Sequence, residues 1–211
     1  MGRLPRIQEN QLHYHIIVRC NNEAFHFETK EDFERYLNTL SFFKKRHRFK
    51  LYNYVLMNSH VHLLLQPSEK TPLQETMHLI NWNYAKDYNQ RKNRKGHFWL
   101  DRYTSIPVQT DLYALSLMRY MDRNPIRAGI IKKPDNWQWG GYRFYAFGEP
   151  NSILDSHVSY LALGSKDKIR QENYKNFVTM ILPGEDQKKH EFSKAAYIGS
   201  ESFARRLGLS K

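Results

Sequence analysis

Four short, largely apolar stretches of the chain are predicted to be β-strands, and the first and third of them show the alternation with a period of two that is typical of strands. These stretches cover residues 11–20, 51–56, 60–66 and 105–109. Between the first two stretches, apolar residues recur at helical spacing, at Phe33, Tyr36, Leu37, Leu40 and Phe43. A second helical stripe precedes the fourth stretch, at Leu73, Met77, Ile80, Tyr84 and Tyr88. The pattern therefore predicts the order strand, helix, strand, strand, helix, strand.

Cap and turn residues mark the ends of these elements. Thr29, followed three residues later by Asp32, is a capping-box start for the first helix. The second helix is predicted to begin with Thr71 as its N-cap and Pro72 at its first position. Residues 58–59 are short and polar, as in a hairpin turn between the second and third strands.

A third helix is predicted after the fourth strand. Thr110 is its expected N-cap, and the helix should run from Asp111 to about Asn124. Pro125 should end it, because proline pushes the preceding residue out of the helical region.

This order of elements predicts an α+β fold, a ferredoxin-like antiparallel sheet (βαββαβ) with both crossover helices on one face. We expect residues 1–150 to form the core domain and residues 151–211 to form a mostly helical appendage packed on it. Within these regions we expect an aromatic loop at 137–142, a helix near 165–182, a break at 183–186 and a short last helix opening at 199–201.

The charge of the chain points to a polyanionic partner. Its 211 residues include 33 Lys+Arg against 21 Asp+Glu, a formal charge of +12 with a pI near 9.7. Nucleic acid is the leading candidate. No apolar run is long enough to span a bilayer, so no membrane partner is expected. Cys20 is the one cysteine, which excludes an internal disulfide and fits a reducing cytoplasm.

Basic clusters and neighbouring aromatic residues are the candidate nucleic-acid contacts, because bases stack on rings while phosphates pair with cations. The first cluster ends the first helix, where cations also complement the helix dipole, so a purely structural role is the alternative there. The second cluster lies in a predicted loop beside an aromatic segment. The full set is Lys44, Lys45, Arg46, Arg48, Arg91, Lys92, Arg94, Lys95, Phe98, Trp99 and Arg102.

Two histidines in the third strand form a candidate metal site. His60 and His62 lie one residue apart, so their side chains point to the same face of the strand and can hold one ion together. His13 and His15 alternate in the same way and are the competing pair. On the third helix, Tyr120 and Asn124 are four residues apart and therefore neighbours on one helical face. Capping of the helix C-terminus is the alternative role for Asn124.

Four segments, in the order in which the family has them, resemble the single-tyrosine HUH transposases, and within that group the REP-associated tyrosine transposases. Two of them are the His-hydrophobic-His strand at 60–62 and the Tyr-x-x-x-Asn-Pro segment at 120–125 with its continuation to residue 130. The other two are the segments 96–103 and 134–142. The last two are similar to the family's Gly-x-hydrophobic-Trp-x-x-Arg-Phe and Pro-x-x-Trp-x-Trp-Ser-Ser-Tyr segments. The resemblance covers about residues 10–145.

The resemblance implies a metal-dependent single-stranded DNA endonuclease and strand transferase that cleaves hairpin-forming, REP-like DNA through a 5′-phosphotyrosine. Tyr120 would be the nucleophile, and His60, His62 and the amide oxygen of Asn124 would hold Mg²⁺ or Mn²⁺. His15, Arg119 and Arg123 would surround the site. No nucleotide cofactor is implied, since the tyrosyl linkage keeps the phosphodiester energy.

The same resemblance favours a monomer over the dimer of the insertion-sequence relatives, and a bacterial cytoplasmic, nucleoid-associated location. This chain departs from the family pattern at residue 58, where many members have proline, and at 140–141, where glycines replace the usual serines. It also has Asn124 where insertion-sequence relatives often have glutamine, which shortens the reach of the amide by one methylene.

Two other functions fit the sequence. The first is a structured DNA- or RNA-binding module on the same scaffold without catalysis, which would show steep salt dependence and no covalent adduct. The second is a zinc-dependent hydrolase that uses His60 and His62, whose turnover would survive Tyr120→Phe.

Overall fold

A four-stranded antiparallel sheet forms the centre of the protein. We describe a computed structural model in which residues 7, 9–21, 25–181 and 192–209 are defined. The strands are β1 (His13–Arg19), β2 (Lys50–Leu56), β3 (His60–Gln66) and β4 (Thr104–Val108), in the spatial order β2-β3-β1-β4. Each neighbouring pair is antiparallel. This order and the connections between strands confirm the predicted ferredoxin-like α+β fold.

The helices follow in chain order. They are α1 (Lys30–His47), α2 (Leu73–Arg91), α3 (Leu112–Asp122), α4 (Asn124–Arg127), α5 (Tyr142–Phe147), α6 (Val158–Leu161), α7 (Asp167–Thr179) and α8 (Glu201–Arg206). The crossover helices α1 and α2 pack together, with 5.0 Å between the ring centroids of Tyr36 and Tyr84. None of the helices in the described residues combines the length and the apolar character that crossing a bilayer requires.

The helix starts agree with the predictions in part. Thr29 and Asp32 form the expected capping box of α1. The predicted caps of the next two helices are wrong by one residue. Pro72, rather than Thr71, is the N-cap of α2 and offers no side-chain bond. Asp111, rather than Thr110, caps α3, where its carboxylate accepts a hydrogen bond from the backbone N–H of Tyr113. Asp111 takes over this role because its side chain reaches the N2 amide.

The predicted end of α3 is also wrong. The helix ends at Asp122, and Pro125 lies inside the separate short helix α4. Proline is tolerated in the first turn of a helix, where its missing N–H is not needed. Tyr120 and Asn124 therefore belong to two consecutive helical segments instead of one continuous helix.

Strand register decides which side chains share a face of the sheet. Ile17 pairs with His62, and Arg19 pairs with His60, so these side chains and that of His15 point to the same face. Helix α3 lies on this face, with 6.1 Å between the ring centroids of His62 and Tyr120. Alternate residues of β1, such as the fully buried Ile16, point to the opposite face.

The residues after 150 pack against the sheet and α3. The expected helix near 165–182 is α7, and the expected last helix is α8, capped by Ser200. A backbone bridge joins Ile198 to Val108 beside β4. The segment 137–142, expected to be a loop, follows a 3-10 turn and leads into α5, whose first residue is Tyr142. The predicted break at 183–186 lies outside the described residues.

Candidate active site

One pocket of about 590 Å³ contains the predicted nucleophile and the three predicted metal ligands. Its lining includes His60 and His62 from β3, Tyr120 from α3 and Asn124 from α4. Residues that the sequence reasoning had not assigned to the site complete it, namely Arg19, Phe25, Met57, Ser59, Arg127, Ala128 and Ser193. The fold thus brings together residues that are more than sixty positions apart in the chain.

A chain of hydrogen bonds fixes the orientation of His62. Nδ1 of His15 lies 2.7 Å from the carbonyl oxygen of Phe192, which can only accept, so Nδ1 carries the proton. Nε2 of the neutral His15 ring then accepts from Nδ1 of His62 at 2.8 Å. Nε2 of His62 consequently keeps its lone pair. Burial holds the pKa of His15 at about 3 and that of His62 well below its usual value, so both rings are neutral at pH 7.

The donor set fits a divalent cation. Nδ1 of His60 bonds Ser59 Oγ at 3.1 Å, and the ring centroids of His60 and His62 are 4.9 Å apart. Asn124 Oδ1 accepts from Arg127 Nη2 at 3.1 Å and has a second lone pair. Asn124 Nδ2 is buried and has no partner among the residues that the structure describes. Two imidazoles and one amide oxygen suit Mn²⁺ or Mg²⁺. Within the described residues, no cluster of three or more His, Cys, Asp or Glu residues could hold a metal.

The ring of Tyr120 contacts two other side chains. Its centroid is 4.8 Å from the ring centroid of Phe192 and 4.1 Å from Arg127 Cζ. The side chain is buried, and this burial raises the pKa of the phenol. The Arg127 charge and a hydrogen bond from Ser193 act in the opposite direction and favour the phenolate.

Arg127 is one of the site residues that the sequence reasoning missed. Besides its contact with the tyrosine ring, it donates hydrogen bonds to the Tyr120 carbonyl and to Asn124 Oδ1. A signal was available, because Arg127 follows Asn124 by three residues, which is helical spacing. No signal in the sequence indicated Phe192 or Ser193, which reach the site from the far end of the chain.

The sequence predicted that Arg119 and Arg123 surround the site, but both side chains bond backbone carbonyls at the end of α7. Arg119 Nε donates to the Phe177 carbonyl at 2.6 Å, and Arg123 Nη1 donates to the Val178 carbonyl at 3.0 Å. These carbonyls end α7, where the helix leaves its last acceptors without partners inside the helix. Both arginines therefore attach the end of α7 to the C-terminal end of α3.

The competing histidine pair is divided between two different environments. Nδ1 of His13 lies 3.0 Å from Nε2 of His157, and burial lowers the pKa of His13 to about 4. Nδ1 of His157 accepts from the backbone N–H of Ser159 at 3.0 Å. His13 therefore contacts the residues after 150, while His15 contacts His62.

Several predicted nucleic-acid contacts are committed to bonds within the protein. Lys44 Nζ lies 2.6 Å from Asp155 Oδ2, and Arg91 bonds both Asp87 and Asp32. Lys92 Nζ lies 3.5 Å from Asp32, while Arg94 bonds Asn89 and the His97 carbonyl. Phe98 is only 2% exposed and has no ring face for a base, and Trp99 is half-buried. The exposed members of the set include Lys45, Arg46, Arg48, Lys95 and Arg102.

Comparisons with known proteins identify a family and solved structures that are similar to this chain. A family model described as "Transposase IS200 like" matches residues 8–124, more than half of the chain. A REP-associated tyrosine transposase, solved bound to a REP hairpin, matches with a TM-score of 0.60 at 16% identity, over 75% of this chain and 93% of that one. This identity supports the fold alone.

A putative transposase from Deinococcus radiodurans R1 matches with a TM-score of 0.41 at 16% identity, over 58% of this chain and 95% of that one. This similarity is too low to support a conclusion. No curated protein sequence matches the chain.

Proposed function

Because this chain belongs to the IS200-like transposase family, we propose that it is a metal-dependent single-stranded DNA endonuclease and strand transferase. Tyr120 is its nucleophile, and His60, His62 and Asn124 hold the metal. The observation that carries the proposal is the single pocket that these four residues line together with Arg127.

Cleavage begins when the Tyr120 oxygen attacks the phosphorus of a phosphodiester. A bond forms between the tyrosine oxygen and phosphorus, and the bond between phosphorus and the 3′ oxygen breaks. The phenol proton passes to solvent, and the leaving 3′ oxygen takes up a proton. The products are a 5′-phosphotyrosine and a free 3′-hydroxyl, and the reverse reaction with another 3′-hydroxyl rejoins DNA without ATP.

His15 prepares the histidine ligand for its role. Its bond to His62 Nδ1, backed by the Phe192 carbonyl, presents the His62 Nε2 lone pair for coordination. A divalent cation held there by His60, His62 and the Asn124 amide oxygen would polarise the scissile phosphate as a Lewis acid. The low pKa of His62 keeps its ring neutral, and an imidazole has to be neutral to bind a metal.

Arg127 supplies a fixed positive charge at the nucleophile. Its guanidinium contacts the Tyr120 ring and lowers the pKa of the phenol against the effect of burial. The same charge, at the wall of the pocket, can pair with a non-bridging phosphate oxygen as negative charge develops.

We propose hairpin-forming DNA as the substrate and a monomer as the active form. The hairpin is supported by the solved REP-associated transposase that holds a REP hairpin. The monomer is supported by contacts that fasten α3 to its own chain. Asp122 Oδ1 accepts from Asn53 of β2 at 3.0 Å, and Asp122 Oδ2 accepts from Tyr174 of α7 at 2.5 Å. All three side chains are buried.

A denaturing gel tests the activity directly. Labelled single-stranded hairpin DNA from the genomic neighbourhood of the gene is incubated with Mg²⁺ or Mn²⁺ and wild-type protein, Tyr120→Phe or His60→Ala. Wild type should form a covalent adduct that both substitutions abolish. Tyr113→Phe is the matched control, because Tyr113 lies on the same helix but is 39% exposed and does not line the pocket.

The second candidate is a DNA-binding module without catalysis. The burial of Tyr120, which raises the pKa of its phenol, is the observation that favours it. Tight hairpin binding with no adduct under either metal would support the module and reject the nuclease. An adduct that persists in Tyr120→Phe would assign the nucleophile to another residue.

A further inference from the structure

A second groove of about 710 Å³ lies between α2 and the segment 96–103. Two hydrogen bonds hold the segment against the helix. Trp99 Nε1 donates to the Asn81 carbonyl at 2.9 Å, and Asn89 Nδ2 donates to the Gly96 carbonyl at 2.9 Å. The groove is therefore built by fixed walls on both sides.

Trp82 is the exposed aromatic residue of this groove. It is 53% exposed, although large apolar side chains are usually covered. Lys86, one helical turn later, places Nζ 5.2 Å from the centroid of the Trp82 ring. The arrangement offers an exposed aromatic ring with a cation over one of its faces.

The other exposed groups of the groove are mostly cationic or neutral. Arg102 is exposed on the segment opposite α2, and Asp101 is the one carboxylate among the groove residues. His78 and His97 are exposed and lie at the same groove. An exposed aromatic ring in a groove that also holds two cations, Lys86 and Arg102, suits a ligand that combines a planar apolar ring and an anion. That is the chemistry of a nucleotide in a single strand.

The groove adjoins the candidate active site through β1. The backbone N–H of Leu100, a groove residue, donates to the Arg19 carbonyl at 2.9 Å. The backbone N–H of Asn21 donates to the Phe98 carbonyl at 2.8 Å. Arg19 itself lines the pocket that contains Tyr120. A single strand of nucleic acid that leaves this pocket past Arg19 would therefore reach the segment 96–103 next.

We propose that this groove binds an unpaired nucleotide of the DNA strand that flanks the hairpin. The base stacks on Trp82, and Lys86 and Arg102 pair with the neighbouring phosphates. The choice of DNA rests on the proposed function, whereas the stacking site rests on the geometry of the groove.

Binding measurements with two probes test the site. One probe is a hairpin oligodeoxynucleotide with a short run of unpaired thymidines, and the other is the same hairpin without them. Trp82→Ala should weaken binding of the flanked probe about tenfold, the usual loss when a base-stacking ring is removed. Binding of the unflanked probe should not change. Trp82→Phe should restore most of the affinity, because a phenyl ring still stacks.

Two control variants keep the test specific. Phe42→Ala removes an aromatic side chain that is 60% exposed on α1, outside the groove, and should leave both affinities unchanged. Lys86→Ala should reduce the dependence of log affinity on log salt by about 0.7, the value for one phosphate contact on a single strand, whereas Lys168→Ala on α7 should not.

Photocrosslinking locates the contact. A flanked probe with 5-iododeoxyuridine in the unpaired run should crosslink to the peptide that contains Trp82, and mass spectrometry identifies the peptide. Crosslinking elsewhere, or equal affinity of Trp82→Ala and wild type for the flanked probe, would overturn the proposal. Tighter, Trp82-dependent binding of the matching RNA probe would overturn the assignment to DNA.

The outcomes separate this inference from the proposed function. If neither wild type nor any variant forms an adduct but Trp82→Ala still loses flank-dependent affinity, the nucleotide-binding groove is supported and the nuclease activity is rejected. If wild type and Trp82→Ala form adducts and bind the flanked probe equally, the nuclease stands and the groove falls.

Discussion

The guanidinium of Arg127 lies over the ring of Tyr120, with 4.1 Å between Arg127 Cζ and the ring centroid. The same side chain donates to the Asn124 amide oxygen at 3.1 Å. One arginine thus joins the proposed nucleophile to a proposed metal ligand, and its charge opposes the effect of burial on the phenol pKa.

Replacement of Arg127 should slow the chemical step. We expect Arg127→Ala to reduce the single-turnover rate of adduct formation at saturating DNA by about 100-fold, because an electrostatic partner of the developing charge is lost. Arg127→Lys should retain part of the rate, since it keeps the charge but not the planar fork. Equal rates for Arg127→Ala and wild type, with thermal melting used to confirm folding, would reject this role.

Loss of His15 should weaken metal binding without removing a ligand. We expect His15→Ala to raise the dissociation constant for Mn²⁺, measured by calorimetry, by about 10- to 100-fold, because the His62 tautomer is no longer fixed. His13→Ala is the matched control, since His13 bonds His157 instead of His62. If both variants bind Mn²⁺ as tightly as wild type, the hydrogen-bond chain does not prepare the ligand.

The buried carboxyl of Asp122 should make stability depend on pH. Burial raises its pKa from 3.8 to about 7, in spite of hydrogen bonds from Tyr174 and Asn53. Between these values the folded state binds more protons than the unfolded state, so this contribution to stability grows as the pH falls from 7 towards 4. The group is fully protonated in both states only below the unfolded value.

Urea unfolding of wild type and Asp122→Asn over pH 4–8 measures the contribution. The stability of wild type relative to the variant should increase as the pH falls, because asparagine does not titrate. The comparison cancels the opposite effect of His15 and His62, which are buried as neutral rings in both proteins. A difference that stays constant with pH would contradict the raised pKa.

Arg119 should matter for stability and little for chemistry. Arg119 is only 4% exposed, and its guanidinium bonds the Phe177 and Met180 carbonyls at the end of α7. We expect Arg119→Ala to lower the free energy of unfolding by about 1–3 kcal/mol, since two partly buried hydrogen bonds from a charged donor are lost. Arg35→Ala, at an exposed position on α1, should cost much less.

The rate of adduct formation distinguishes this role from the one expected from the sequence. At a temperature where Arg119→Ala is fully folded, its single-turnover rate should match that of wild type. A large loss of rate with unchanged stability would return Arg119 to the immediate surroundings of Tyr120.

The local pattern of the sequence determined the elements and their faces. Alternation in strands and the 3.6-residue helical period are encoded by neighbouring residues, so β3 was predicted with its observed bounds and His60 and His62 on one face. Where two residues compete for the same cap, as Thr110 and Asp111 do, backbone geometry decides, and the prediction was wrong by one residue.

Only the tertiary structure decided which faces meet. His15 contacts His62 because β1 and β3 are adjacent in the sheet. Phe192 reaches His15 and Tyr120 through packing of the last part of the chain. Phe98 was predicted as a nucleic-acid contact, yet its ring is buried against Tyr84 and Tyr88 of α2, whereas Trp82 on the same helix stays exposed. Burial depends on contacts between distant segments, and local period and composition do not encode those contacts.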